Sequence, residues 1–174
     1  GSHNVYNALA AIAVGRVLGL TEHQLQKGLS EYRGMPMRQE LIHLGEYTFI
    51  NDAYNANPAS MSEALKSLAL LTKGRKIAVL GGMLELGDWT VREHEKIGAE
   101  AAELGLDALI TMGSPASYIA DAARKNGLGA VYTAQDHAGA ADCLRQIIQP
   151  GDTVLLKGSR GFAMEKILPY FERK

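Results

Sequence analysis

With 174 residues, the chain has room for one ordinary domain with an appendage and is too short for a three-domain enzyme. An apolar fraction of 47% with 21% charged residues is typical of a soluble globular protein, and no apolar run reaches the roughly 18 residues of a membrane span. A formal net charge of -1 supplies no positive field for a phosphate backbone, which argues against nucleic acid as a partner.

Two helices are predicted at the start of the chain. Residues 5–18 are Ala-rich and apolar almost all round, which predicts a helix buried against a partner surface, and Gly19 closes it. Thr21 then caps a second helix, with Gln24 three residues on as its capping-box partner. Two helices alone cannot bury so apolar a surface.

The domain organisation follows from this first segment. Gly1-Ser2-His3 resembles the remnant of a cleaved expression tag, and the following residues already have a helical pattern. We therefore expect residues 1–34 to be the helical end of a larger domain, and residues 35–174 to form a domain of their own.

From residue 35 onward, short apolar runs alternate with helical patterns, apart from a first pair that is typical of a β-hairpin. This alternation predicts an α/β fold, doubly wound, with a mostly parallel sheet covered by helices on both faces. Ligands of such folds bind beyond the carboxyl ends of the strands. The predicted strands are 38–43, 47–51, 76–80, 108–112, 130–133 and 153–156, and the predicted helices are 59–71, 90–104, 115–125, 136–149 and 161–171.

Residues 50–58 leave one of these strands through polar, turn-forming side chains. Asp52 at a strand end is well placed to accept hydrogen bonds from ribose hydroxyls, and Tyr54 offers a flat face to a base. An equally good explanation is ordinary helix capping by Asn55 or Asn57, with Asp52 as a turn residue. The segment alone does not decide between these hypotheses.

Residues 157–161, Lys-Gly-Ser-Arg-Gly, follow the last strand and precede the last predicted helix. Two cations and the backbone amides of a helix N-terminus would make an anion site for a carboxylate or a phosphate. The alternative is a solvated helix start, since basic side chains oppose the helix dipole there. The segment is not a P-loop, and residues 81–87 do not match the GxGxxG fingerprint.

The other chemically reactive residues predict little. Cys143 lies in a helical pattern, where a small buried thiol is common. The histidines show no metal-ligand spacing, so no metal site is predicted, and His94 is interpreted as a packing or surface group. Glu85 and Asp88 flank Gly87 and are candidates for orienting a ligand only.

Four segments resemble the Mur ligases of peptidoglycan synthesis. They are His3 to Ala11, Asn51 to Pro58, Val79 to Gly87 and Lys157 to Gly161, and they span the chain. The Tyr-Asn-Ala-Asn-Pro and Met-Leu-Glu-Leu-Gly strings are most similar to the members that add a dipeptide, D-alanyl-D-alanine. Gly82 departs from the pattern, because the family usually has Asp at that position.

The resemblance implies a three-domain enzyme, with residues 1–34 ending the central ATP-binding domain and residues 35–174 forming a Rossmann-like C-terminal substrate domain. It implies a nucleotide-binding group in which two asparagines hold the adenine, Arg38 reaches the phosphates and Asp52 takes the ribose. That group is Asn4, Asn7, Arg38, Asp52, Tyr54 and Asn55. It also implies that Lys157, Ser159 and Arg160 face the dipeptide, with the cations suited to its carboxylate.

The implied reaction takes place in the cytoplasm and joins D-alanyl-D-alanine to UDP-N-acetylmuramoyl-tripeptide. ATP activates the tripeptide carboxylate as an acyl phosphate, with magnesium neutralising charge. The P-loop, the magnesium-binding carboxylate and the catalytic residues of such ligases lie outside this sequence. We therefore expect no activity from this chain alone.

Other readings stay open on the sequence. The nearest is a sister amide ligase, either an amino-acid-adding Mur ligase or a folylpolyglutamate synthetase. A non-catalytic nucleotide-binding module belongs to a different class, and tight ATP binding by the isolated chain would favour it. An oxidoreductase domain is a weaker alternative, because the dinucleotide fingerprint is missing.

Overall fold

The computed structural model describes residues 2–32 and 34–172, with side chains from residue 5 onward. The chain divides into two compact units, Gly1–Gly34 and Met35–Lys174. None of the described helices has both the length and the apolar character that a bilayer span requires.

The first unit is a pair of helices, α1 (Ser2–Val17) and α2 (Glu22–Glu31). The predicted capping box is confirmed, because the Thr21 hydroxyl accepts the Gln24 amide at 3.3 Å and the Thr21 amide donates to the Gln24 side chain at 2.9 Å. The two helices meet where Gly15 of α1 leaves room for Leu25 of α2.

The second unit is built on a six-stranded sheet with the order β1-β2-β6-β3-β4-β5. Only β1 is antiparallel to its neighbour; the other strands run parallel, which confirms the predicted mostly parallel sheet. The strands are β1 (Glu40–Leu44), β2 (Tyr47–Asp52), β3 (Lys76–Gly81), β4 (Ala108–Met112), β5 (Val131–Ala134) and β6 (Thr153–Lys157).

Helices cover both faces of this sheet. Alternate strand residues point to opposite faces, so Ile77 and Ala78 of β3 belong to different apolar clusters. One cluster packs under α3 (Pro58–Leu71), α4 (Thr90–Glu103) and α5 (Ser117–Lys125), and the other packs under α6 (His137–Ile147) and the C-terminal segment. The doubly wound prediction is therefore confirmed.

Two sequence predictions of local structure are wrong. The first concerns residues 161–171, which form 3-10 segments at Arg160–Phe162 and Met164–Tyr170 rather than an α-helix. Ala163 between them is left-handed with φ 45°, and Pro169 has no amide hydrogen to continue a helical ladder. An α-helix cannot run through either residue.

The second correction concerns the first strand, which was expected to begin at Arg38 and begins at Glu40. Met37 has φ 58° and Gln39 has φ 52°, so the backbone on both sides of Arg38 is left-handed rather than extended. Residues 35–39 are therefore a turn in front of β1. This turn lies beside the end of β2, because the Tyr54 amide donates to the Met37 carbonyl at 3.1 Å.

Candidate functional site

The parallel strands β2, β6 and β3 end at one edge of the sheet. In the register of the sheet, Lys157 at the end of β6 lies opposite Asp52 of β2 and Leu80 of β3. The polar segments after these strands are therefore neighbours, as the strand-end argument predicts.

An ion pair lies at the centre of this edge. Lys157 Nζ is 2.7 Å from Asp52 Oδ2, with only 3% of the lysine side chain and 13% of the aspartate side chain exposed. The same ammonium donates to the Asn55 carbonyl at 3.0 Å and to the Asp52 carbonyl at 3.5 Å. Lys157 thus joins the end of β6 to the segment that leaves β2.

The turn at residues 35–39 closes over the other side of Asp52. The Gln39 amide donates to Asp52 Oδ1 at 3.1 Å. The Arg38 guanidinium lies over the ring of Tyr54, 4.1 Å from its centroid, and both side chains are exposed. Four predicted nucleotide residues, Arg38, Asp52, Tyr54 and Asn55, are therefore close together.

Glu40 holds this turn, and sequence reasoning missed it. Its Oε2 accepts the Met37 amide at 3.0 Å and the Asn51 side-chain amide at 3.1 Å. Asn51 lies directly opposite Glu40 in the antiparallel β1–β2 ladder. The cross-strand pair was detectable once the hairpin register was known, since opposite side chains of a hairpin lie on one face.

Ser159 binds loops from three strands together. Its hydroxyl accepts the Leu84 amide at 2.9 Å and donates to the Ala56 carbonyl at 3.2 Å, while its own amide donates to the Gly82 carbonyl at 3.0 Å. Only 4% of the residue is exposed. The hydroxyl therefore already has both a donor and an acceptor inside the protein.

Arg160 is the exposed cation of the segment that follows β6. Its Nη1 donates to Glu165 Oε1 at 2.7 Å and lies 3.3 Å from Met37 Sδ, and 55% of its side chain is exposed. The α-helix whose N-terminus was predicted to complete an anion site is a 3-10 segment instead. The following 3-10 segment has three residues, too few for a helix dipole, and Lys157 is buried in its ion pair.

Three glycines beside the site leave room for an aromatic ring. A Cβ at Gly81 would lie 2.9 Å from the Phe162 side chain, and one at Gly82 would lie 3.1 Å from the same ring and 2.9 Å from Pro115. A Cβ at Gly113 would lie still closer to the Phe162 ring, at 2.5 Å. His137 holds the segment through a hydrogen bond of 2.8 Å between Nε2 and the Phe162 carbonyl. Gly82 thus allows this close packing, and an aspartate at that position would require Pro115 or the Phe162 ring to shift.

His94 supports the loop after β3. The Met83 amide donates to Nε2 at 2.8 Å, and Nδ1 donates to the Thr90 carbonyl at 2.6 Å, so the ring is neutral. Burial lowers the pKa of His94, because the charged form would lose its hydration. The packing interpretation of His94 fits these contacts, whereas Glu85 and Asp88 are simply exposed.

The two asparagines predicted to hold the adenine, Asn4 and Asn7, lie in the first unit. Asn7 is exposed on α1 and lines a groove of about 770 Å³ between α1 and α2. The side chain of Asn4 is outside the described residues. Within the described residues, no three His, Cys, Asp or Glu side chains are grouped so that they could hold a metal ion.

Comparison with protein families and sequences gives a consistent result. A family model described as Mur ligase, glutamate ligase domain, matches residues 37–160. The UDP-N-acetylmuramoyl-tripeptide--D-alanyl-D-alanine ligase of Bacillus subtilis (strain 168) is 37% identical over 171 residues, which cover 97% of this chain and 37% of that ligase. The chain thus spans little more than a third of the length of this relative.

Solved structures of MurF are also similar to this chain. A crystal structure of MurF from Acinetobacter baumannii matches 97% of this chain and 37% of that chain, with a TM-score of 0.89 and 37% identity. The MurF ligase from Thermotoga maritima in complex with ADP matches 92% of this chain and 35% of that chain, with a TM-score of 0.78 and 27% identity. Both similarities extend over nearly the whole of the present chain.

Proposed function

Because the chain belongs to the Mur ligase family, we propose that it is part of an ATP-dependent ligase that joins D-alanyl-D-alanine to UDP-N-acetylmuramoyl-tripeptide. The Bacillus subtilis relative is named for this reaction. We further propose that the first unit ends a central ATP-binding domain, that the second unit is the C-terminal substrate domain, and that the protein acts in the bacterial cytoplasm in cell-wall synthesis.

One juxtaposition supports this function most directly. The exposed Arg160 guanidinium is 3.3 Å from Met37 Sδ, in the same turn as Arg38, whose guanidinium lies over Tyr54. A group suited to a nucleotide and a cation suited to a carboxylate are thus side by side at the strand ends. A ligase that brings ATP together with a dipeptide needs this combination.

The residues on the nucleotide side are chemically suited to a ribose and a base. An ionised carboxylate has about four acceptor positions, and the described contacts of Asp52 use one on each oxygen, so hydroxyl donors can be added. The exposed Tyr54 ring offers a stacking face, and Arg38 beside it can reach phosphate oxygens. The Thermotoga maritima relative was solved in complex with ADP.

On the dipeptide side, the proposal relies on Arg160. Its guanidinium has five N–H donors in a planar fork, of which Glu165 engages one nitrogen. The exposed remainder can bind a carboxylate in two-point fashion. Glu165 holds the Arg160 side chain at 2.7 Å, beside Met37.

ATP supplies the phosphoryl group that activates the acceptor carboxylate. The described residues contain no cluster of acidic or histidine side chains for a divalent cation, which requires several oxygen ligands. We propose that the magnesium ligands, the phosphate loop and the catalytic residues come from other parts of the full-length protein. We expect the isolated chain to have no ligase activity.

The test is amide formation by the full-length protein with UDP-N-acetylmuramoyl-tripeptide, ATP, magnesium and D-alanyl-D-alanine. Dipeptide turnover is expected, with no product from single amino acids, and the isolated chain serves as the inactive comparison. Turnover with a single amino acid but not with the dipeptide would transfer the assignment to a sister ligase. Tight ATP binding by the isolated chain would instead favour a nucleotide-binding module.

A matched pair of variants tests the dipeptide anchor. Arg160→Gln removes the fork and its charge, so the KM for the dipeptide is expected to rise about tenfold to a hundredfold. Arg124 is an exposed arginine on α5 that pairs with Asp121 at 3.1 Å, and Arg124→Gln is its control with unchanged kinetics. An unchanged dipeptide KM in Arg160→Gln would contradict the assigned anchor.

A further inference from the structure

We propose that Lys157 is a positioning residue, which orients Asp52 and the Asn55 segment on the nucleotide side of the site and does not touch the dipeptide. This inference rests on the proposed function and deepens it. It replaces the sequence-based expectation that Lys157, as a cation beside Arg160, faces the dipeptide carboxylate.

The ammonium group of Lys157 already has hydrogen-bond partners inside the protein. A lysine ammonium has three N–H donors and no acceptor. The structure gives these donors three acceptors, which are Asp52 Oδ2 at 2.7 Å, the Asn55 carbonyl at 3.0 Å and the Asp52 carbonyl at 3.5 Å. A dipeptide carboxylate would therefore have to displace one of these partners.

Lys157 is also far more buried than Arg160. Only 3% of the Lys157 side chain is exposed, whereas 55% of the Arg160 side chain is exposed. Removing Lys157 from Asp52 would leave a mostly buried carboxylate without its counter-charge, which is costly in a low-dielectric environment. The two cations of this segment therefore have different tasks, although they are only three positions apart.

The contacts of Lys157 show what it positions. Its two carbonyl acceptors lie on either side of Tyr54 in the chain, so the ammonium fixes the backbone that presents this ring. Its bond to Asp52 Oδ2, together with the Gln39 amide on Oδ1, fixes the carboxylate from both sides. Losing Lys157 should loosen the carboxylate and the aromatic face together.

Steady-state kinetics of the full-length protein test this inference by comparing the change in the KM for ATP with the change in the KM for the dipeptide. Lys157→Met, Asp52→Asn and the double variant are compared with wild type, each substrate being varied in turn at saturating concentrations of the others. Lys166→Met, at an exposed lysine on the following segment, is the matched control. Near-ultraviolet circular dichroism checks that each variant is folded.

Lys157→Met and Asp52→Asn are each expected to raise the KM for ATP by about tenfold or more, the loss typical of a charge-assisted hydrogen bond. The dipeptide KM should stay within about twofold. Because both single variants disturb the same Asp52 carboxylate, the effect of the double variant should fall short of the product of the single effects.

A rise in the dipeptide KM alone, an equal rise in both KM values, no change in either, or multiplied effects in the double variant would each overturn the inference. If Lys157→Met does not fold, the double variant, which leaves no unpaired charge, still decides whether Lys157 touches the dipeptide, because a raised dipeptide KM in it would overturn the inference. Failure of the proposed function is distinguishable, because then wild type itself makes no amide with the dipeptide.

Discussion

The buried ion pair predicts an unusual order of stabilities. Lys157→Met leaves the carboxylate of Asp52, which is only 13% exposed on its side chain, without a counter-charge. Removing one partner of a buried pair generally costs about 3–5 kcal/mol, whereas replacing both by neutral groups is often close to neutral. We therefore expect Lys157→Met to lower the free energy of unfolding by about 3 kcal/mol or more, since the small exposed area gives Asp52 little access to water.

The double variant Lys157→Met with Asp52→Asn should recover about 2 kcal/mol of this loss, because no charge remains buried. It should not recover all of it, since two carbonyls that accepted from the ammonium lose their donor. Urea unfolding of the chain at neutral pH measures both values, with the fluorescence of Trp89, its single tryptophan, reporting on the second unit. A double variant as unstable as Lys157→Met would refute the reasoning, and so would a Lys157→Met loss below about 1 kcal/mol.

Three further predictions concern packing and protonation. Gly98→Ala is expected to destabilise the second unit by about 1–3 kcal/mol or more, because its Cβ would clash with the backbone carbonyl oxygen of Ile119 and lie 2.8 Å from the Ala122 side chain. Gly28→Ala, whose Cβ would have nothing within 4 Å, should stabilise α2 by about 0.5–1 kcal/mol, and thermal unfolding compares the two variants. Gly82→Asp should lower the urea midpoint by an amount equivalent to about 1–3 kcal/mol, and an unchanged midpoint would show that the Phe162 ring can move aside. Because burial lowers the pKa of His94, the unfolded chain binds a proton at this histidine at a higher pH than the folded chain does. The contribution of His94 to stability should therefore be complete above about pH 6.5, and the free energy of unfolding should fall by up to about 1.4 kcal/mol per pH unit below it. Urea titrations at several pH values measure this slope, which should be smaller in His94→Gln.

Local signals in the sequence were sufficient for most of the fold. The capping residues Thr21 and Asn57 act on the backbone within three positions, so their motifs specify helix starts without knowledge of the rest of the chain. Short apolar runs between helices similarly specify buried parallel strands. The prediction was wrong where a short sequence had to satisfy tertiary packing, as at Ala163, whose left-handed backbone lets the C-terminal segment turn onto the sheet.

The proximity of the predicted residues at the strand ends was easier to predict than the environment of each residue. Asp52 and Lys157 are 105 positions apart, and only the parallel register of β2 and β6 makes them neighbours. No local pattern contains that register, so the sequence could not show that the lysine has an internal partner. The role of Glu40 was missed for the same reason, since it depends on the pairing of β1 with β2.

Position relative to the strand end explains which polar residues face a ligand. Lys157 is the last residue of β6 and still lies within the central layer of the sheet, between β2 and β3, so loops from both neighbours cover it. Arg160 comes three residues later, beyond the buried Ser159 that binds those loops together, and its side chain reaches solvent. The same reasoning separates the buried Asp52, at the end of β2, from the exposed Tyr54 two residues on. At this edge of the sheet, Lys157 and Asp52 at the strand ends therefore fix the geometry, and we expect ligand contacts from Tyr54 and Arg160, two or three positions further along. Asp52 itself can contribute only through the acceptor positions that its internal partners leave open.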